Sequence, residues 1–429
     1  MGEWNFLLAL AAVGAVLALL WRPFRGKAVL RISSWGDQQE NEVLIGLIAE
    51  FQERNPGVQV VLNRIGFSKY VQTNLEETAA GIGPDVIFTE MGNFPYFHDA
   101  GVLEPLNAYA KADKLDLGDY YREMVDFFSV RGETFAIPRD AGPVCAVYYN
   151  KAAFREAGVP FPRDDWDWGE FLEAAKKLTT VTPRGKVLRW GVVEQWMMPA
   201  AWVYSVGGSY VDNPKHPTRW TFATDSLTAA GVKFRADLIN IHKVMPSPTV
   251  EREVEGTQTW YMFVNGTAAM YISGIWKTAY FRETVKDFPW DVTLMPQGTG
   301  GQRRFAMGGS AYGVSKSSKN KKLAWKLVRF LTGEEGLGKL AATGVAHPAR
   351  VKVAESPDFL DGKDPQKKKV MLGTIPYGRI PPMCLNWQEA QVMINAELED
   401  VWRGKATVEE AMARLRPQLE ANPPITSKR

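Results

Sequence analysis

From Val29 to Phe88 the chain alternates short β-type runs with helical stretches, and few folds accept that order. Val29-Leu30-Arg31-Ile32 reads as a strand ending at Ser33-Ser34-Trp35. Val43, Leu44, Leu47, Ile48 and Phe51 then recur at helical spacing until Asn55-Pro56-Gly57 stops them. Val58 to Leu62 is the next strand, Tyr70 to Ala80 the next helix, closed by Gly81, and Asp85 to Phe88 a third strand. Strands and helices joined this closely predict an α/β lobe with a largely parallel sheet. In such sheets ligands sit at the carboxyl ends of the strands. Here those ends are Trp35-Gly36-Asp37-Gln38 and Thr89-Glu90-Met91-Gly92-Asn93.

With 429 residues the chain is long enough for two lobes. A second region opens near Phe135-Ala136-Ile137-Pro138 and runs through a strand, Val144 to Tyr149. Helices are expected over Trp168 to Leu178 and Asp225 to Ile241, and a strand over Trp190 to Val193. Asp291 to Pro296 is expected to be a strand crossing back to the first lobe. A helix with Leu323, Leu327, Val328 and Leu331 on one face follows, and the charged stretch Asp361 to Lys369 reads as an exposed loop. Thr407-Val408-Glu409-Glu410 is a capping box opening the last helix.

The net charge of +3 gives no electrostatic case for nucleic acid or another polyanion. Four scattered histidines and two distant cysteines match no metal-binding spacing, so neither metal nor cofactor is expected. Cys145 and Cys384 pair only if the fold brings them together, and two small buried side chains are the simpler expectation. Fifteen tryptophans, with 14 tyrosines and 21 phenylalanines, exceed what a core alone calls for and suggest a ring-lined groove. The apolar run from Phe6 to Trp21 suits a signal segment or a membrane anchor, with Arg22, Arg25 and Lys27 behind it. It implies export, to the periplasm or the outer face of the cytoplasmic membrane.

Several short pieces, in their order and spacing, carry a resemblance. They are FQERNPGVQV from Phe51, AAGIGPDVIF from Ala79, Leu103 to Asn107, Ala136-Ile137-Pro138 and Tyr148 to Lys151. NGTAAMYISGIWK from Asn265, Gly313 to Lys316, and Ile380 to Met383 with Trp387 complete the set. Together they resemble the extracellular solute-binding proteins of ABC importers, in the branch that includes the maltose-binding protein. The resemblance covers nearly the whole chain after Ala28. It implies a two-lobed periplasmic-binding-protein fold, with crossing hinge segments and a solute held in the cleft between the lobes. It further implies a monomer that delivers a carbohydrate, most simply an oligosaccharide, to the membrane subunits of a permease. On that basis residues 1–28 form the signal or anchor, 29–140 with 297–330 the first lobe, and 141–296 with 331–429 the second.

Trp276 and Trp387 match the positions where that branch turns aromatic rings toward the sugar. A ring suits this because the apolar C–H face of a sugar packs flat on it while the hydroxyls find polar neighbours. Strand-end position alone nominates Asp37 and Gln38, Glu90 and Asn93, Asp140 beyond Pro138, and Gln195 with Trp196. Gly309 is a further candidate, because a glycine lets the backbone approach a ligand. Carboxylates and amides at such points can hold neighbouring hydroxyls. A glycoside hydrolase would use similar groups, but no acid pair here sits in a motif that sets the required separation, and no nucleophile elbow or phosphate loop is present. A peptide or polyamine is the remaining alternative solute.

Overall fold

Continuous apolar runs such as Val86-Ile87-Phe88 and Ala268-Ala269-Met270-Tyr271-Ile272 become strands with every one of these residues buried, as expected of strands covered by helices on both sides. The computed structural model describes residues 28–36, 38–195, 199–248, 259–299 and 303–426. The expected anchor, Asp37 and Trp196 lie outside the described residues.

The chain begins with β1 (Ala28–Ser34), α1 (Gln38–Glu53), β2 (Val58–Arg64), α2 (Phe67–Ala79), β3 (Val86–Glu90), α3 (Phe94–Asp99) and β4 (Ala136–Pro138). Then come β5 (Ala146–Asn150), α4 (Trp168–Leu178), β6 (Thr180–Val181), β7 (Val187–Glu194), α5 (Pro199–Ser205) and α6 (Ser226–Asn240). β8 (Ala268–Ser273), α7 (Lys277–Thr284), β9 (Trp290–Leu294), β10 (Ser310–Val314), α8 (Lys321–Leu331) and α9 (Glu334–Thr343) follow. α10 (Trp387–Trp402) and α11 (Val408–Ala421) close the chain.

Two five-stranded sheets make two lobes. The first has the order β2-β1-β3-β10-β4, with β1 parallel to β2 and β3, and β10 antiparallel to β3 and β4. The second has the order β9-β5-β8-β7-β6, with only β7 and β8 parallel. Gly142–Pro143, leaving the first lobe, and Phe305–Gly308, returning to it, pair with each other. Phe305 and Ala306 also pair with Gly378 and Arg379, so three crossing segments form one small sheet.

Local signals place most helices. Asp225 caps α6 by accepting from the Thr228 N–H, and Thr407 and Glu410 form the expected capping box of α11. Three expectations change. The strand at Asp291 does not cross back: β9 lies at the edge of the second sheet beside β5, with all five residues buried, and the crossing comes only after it. α9, placed by sequence with the second lobe, packs against α1 and α8 of the first, because its apolar face needs their cover. Finally, the charged stretch 361–369 is not simply solvated. Asp361 pairs with Arg282 from α7 and with Lys368, whose side chain is buried. Cys145 and Cys384 are both buried in the second lobe's core as free thiols.

Candidate functional site

Register brings the candidate residues of the first lobe to one sheet edge. Glu90, ending β3, stands opposite Ser310, which begins β10, and Pro138, ending β4, pairs with Ala311. Asp140 then returns to that edge. Its Oδ1 accepts from the Ser310 N–H at 2.9 Å, while Oδ2 accepts from the Ser310 hydroxyl and from Arg139 Nε at 2.7 Å. Arg139 also reaches Glu40 at 2.5 Å and lies 4.5 Å over the Phe88 ring. Gly309 is required where it stands: a Cβ there would lie 2.5 Å from Met124 Sδ and 2.8 Å from the Asp140 carbonyl oxygen.

Glu90 is the unusual acid of this edge. Burial pushes its carboxyl up to about 7, against the N–H groups of Gly92 and Asn93 and with the help of the nearby Asp140 charge. Gly92 donates to Glu90 Oε2 at 2.7 Å. The group is therefore poised to change charge near neutral pH.

In the second lobe, Gln195 follows β7 and Trp276 follows β8, and the parallel pairing of those strands sets them side by side. The Trp276 indole N–H donates to Gln195 Oε1 at 3.0 Å, and the same oxygen accepts from the Ser273 hydroxyl and, at 3.4 Å, from Tyr271. The ring itself lies over Gly274, where a Cβ would come within 1.9 Å of Cζ3. Glycine is thus what lets the half-buried indole fold back over the strand end.

The remaining candidates are placed differently. Asn93 is buried; its Oδ1 accepts from Gln388 Nε2 at 3.3 Å, which links the first lobe to the start of α10, and its own Nδ2 has no partner among the described residues. Trp387 is only 7% exposed, set edge-on to Tyr210 and stacked near Trp220 with centroids 6.1 Å apart. Gln38 is exposed at the start of α1 and donates to Glu42 one turn on. Sequence reasoning did not single out Glu40, Arg139, Ser310 or Ser273, whose relevance comes from contacts between distant segments. Trp35 stood in plain view at the end of β1.

A cavity of about 590 Å³ lies between α1, α7 and the end of α9, lined by charged groups including Glu42, Arg282, Glu283 and Lys286. None of the strand-end candidates lines it. Among the described residues no group of His, Cys, Asp and Glu has the composition of a metal site, and no helix is long and apolar enough to cross a membrane.

Two α/β lobes joined by three crossing segments, with aromatic and polar groups gathered at strand ends, define a two-lobed binding protein. Residues 35–337 match the family model of the bacterial extracellular solute-binding proteins, and the chain belongs to that family. It is 26% identical over 344 residues to a maltotriose-binding protein of Pyrococcus abyssi, covering 78% of this chain and 69% of that one. It is 24% identical over 324 residues to an arabinooligosaccharide-binding protein of Bacillus subtilis, covering 73% and 72%. Among solved structures, an ABC substrate-binding protein of Listeria monocytogenes in complex with cycloalternan superposes with a TM-score of 0.81 at 25% identity, over 92% of this chain and 98% of that one.

Proposed function

We propose that the protein is the extracytoplasmic binding component of an ABC importer, and that it holds an oligosaccharide between its lobes for delivery to a permease. The observation that carries this reading is the Trp276 ring, laid on Gly274 and held by Gln195, at the end of two parallel strands. A ring fixed in this way offers an apolar face at no further cost in side-chain freedom, which suits the C–H face of a sugar. Glu90, Asp140, Asn93 and Gln195 supply polar groups at the strand ends for hydroxyls. The oligosaccharides named for the Pyrococcus, Bacillus and Listeria proteins support the same solute class. On this reading binding is not followed by turnover, the protein acts as a monomer, and residues 6–21 serve as export signal or membrane anchor.

A thermal-shift screen with malto-, arabino- and galacto-oligosaccharides tests it. A solute at about 100 times its Kd adds about 2.7 kcal/mol of apparent stability. No shift with any sugar, and a shift with a peptide or a polyamine, would overturn the solute class. Release of reducing ends from a glycoside would replace binding with hydrolysis.

A further inference from the structure

The small sheet that bridges the lobes carries two arginines on one of its faces. Phe305 pairs with Gly378, and Met307 lies over Gly378, where a Cβ would come within 1.8 Å of Met307 Cγ. These three residues therefore share one face. Alternation along the strands puts Ala306 and its neighbour Arg379 on the other, with Arg304 two residues ahead of Ala306. At a strand spacing of about 4.8 Å and a rise of about 3.3 Å per residue, Arg304 and Arg379 leave the backbone about 8 Å apart.

That face looks toward rings of the second lobe. The Arg304 N–H donates to the Tyr204 carbonyl oxygen at 3.0 Å, in the last turn of α5, the helix that opens four residues after Gln195. Ala306 packs in the same core as Tyr204, Tyr210 and Trp387. Tyr204 lies 5.7 Å from Tyr210, which in turn meets Trp387 at 5.1 Å. The two arginines thus stand on the bridge between the lobes, one pair of rings away from Trp387.

Arginines that this fold uses for its own support meet carboxylates. Arg139 reaches Glu40, Arg235 reaches Glu194, Arg282 reaches Asp361 and Arg350 reaches Asp119. Arg379 is different. It is exposed, and among the described residues the groups that act on its charge are Arg304 and Tyr204, with no carboxylate. Lost hydration and the Arg304 charge both disfavour its ionised form, and Tyr204 opposes them. Two neighbouring cations gain from an anion brought between them, and a guanidinium holds a carboxylate through two parallel hydrogen bonds. The net charge of +3 argues against a polyanion, so the match is to separate acid groups along a sugar chain.

We propose that Arg379 and Arg304 receive a sugar carboxylate, so that the oligosaccharide held by this protein contains uronate units. The proposal rests on the carbohydrate reading above and narrows its solute class. Arg379, exposed and free of structural ion pairs among the described residues, is the residue to test.

Isothermal titration compares wild type, Arg379→Gln and Arg379→Lys on three sets of trimers. The sets are galacturonate and glucuronate-bearing xylo-oligosaccharides, the neutral galacto- and xylo-oligosaccharides, and sulfated galacto-oligosaccharides. Wild type binds one uronate trimer about tenfold or more tighter than its neutral counterpart, as a charge-assisted hydrogen bond allows. Arg379→Gln removes that preference, Arg379→Lys keeps part of it, and the melting temperature without ligand does not fall in either variant. Equal or weaker binding of both uronates by wild type would overturn the proposal and leave the carbohydrate reading standing. A full uronate preference in Arg379→Gln would overturn the role of the arginines. Tighter binding of the sulfated sugars than of either uronate would overturn the carboxylate. Absence of binding to every set would remove the carbohydrate reading, and this proposal with it.

Discussion

The indole N–H of Trp276 donates to Oε1 of Gln195 across 3.0 Å, and that bond joins the residues following two neighbouring parallel strands. It makes the orientation of the ring a property of the sheet rather than of the loop.

Removing the ring and removing its anchor have separable effects. Trp276→Ala should weaken solute binding by about 2 kcal/mol or more, as expected of an aromatic anchor. Trp276→Phe keeps a ring but loses the bond to Gln195, at a cost of about 1 kcal/mol. Titration calorimetry with the solute found by the screen reads both, and equal affinity of Trp276→Ala and wild type would return this tryptophan to a packing role.

With Glu90 in the proposed site, binding should depend on pH with a sign that follows from the chemistry. Burial pushes its carboxyl up to about 7, so its charge changes within the neutral range. Hydroxyls donating to it favour the ionised form, so affinity should rise about tenfold between pH 6 and pH 8 by linkage. Glu90→Gln should flatten that slope. A wild-type affinity that falls with pH would mean the protonated acid donates to the solute instead. In folding the sign is the reverse: the unfolded chain ionises at lower pH, so the contribution of Glu90 to stability falls as pH rises through this range.

His347 predicts an acid-sensitive fold. Burial lowers its pKa to about 3, partly opposed by Asp140 and assisted by Lys368. The ring is fully buried, edge-on to Phe359, and neither nitrogen has a partner among the described residues. The unfolded chain takes up a proton near 6.5 that the folded chain refuses, so stability declines as pH falls below that value. The loss attributable to His347 should reach about 2 kcal/mol between pH 8 and pH 5. Urea titrations at the two pH values should show the His347→Met variant free of that part of the decline.

Behind Gln195 lies a buried ion pair. Arg235 reaches Glu194 at 2.5 Å with both side chains 1% exposed, its guanidinium lies 4.1 Å over Trp402, and Trp202 donates to the other Glu194 oxygen at 3.0 Å. Arg235→Met leaves the carboxylate buried without its counter-charge and should cost about 3–5 kcal/mol in urea unfolding. Adding Glu194→Gln should recover part of that loss, since the stranded charge is what makes the single change expensive. A loss below about 1 kcal/mol for Arg235→Met would mean that the carboxylate finds other support.

Much of the fold was legible because its signals are local. The Asp225 cap, the Thr407–Glu410 box and the apolar spacing of α1 and α8 depend on residues within a turn or two of each other. The misplacements were non-local. The run at Asp291 has the composition of a strand wherever it pairs, and only the antiparallel pairing of Trp290 to Leu294 with Asn150 to Ala146 assigns it to the second sheet. Charges between Asp361 and Lys369 look solvated until Arg282, far earlier in the chain, comes to meet them.

The same division runs through the site. Periodicity, turn residues and strand-end position by themselves determined that this is an α/β chain with candidate groups at Glu90, Asp140 and Gln195, and the family resemblance added Trp276. Whether such groups meet was decided by register between strands far apart in sequence, which sets Glu90 opposite Ser310 and Gln195 beside Trp276. That register follows from which distant apolar faces cover one another, and a burial pattern read along one strand states only which face is inward, not what lies against it.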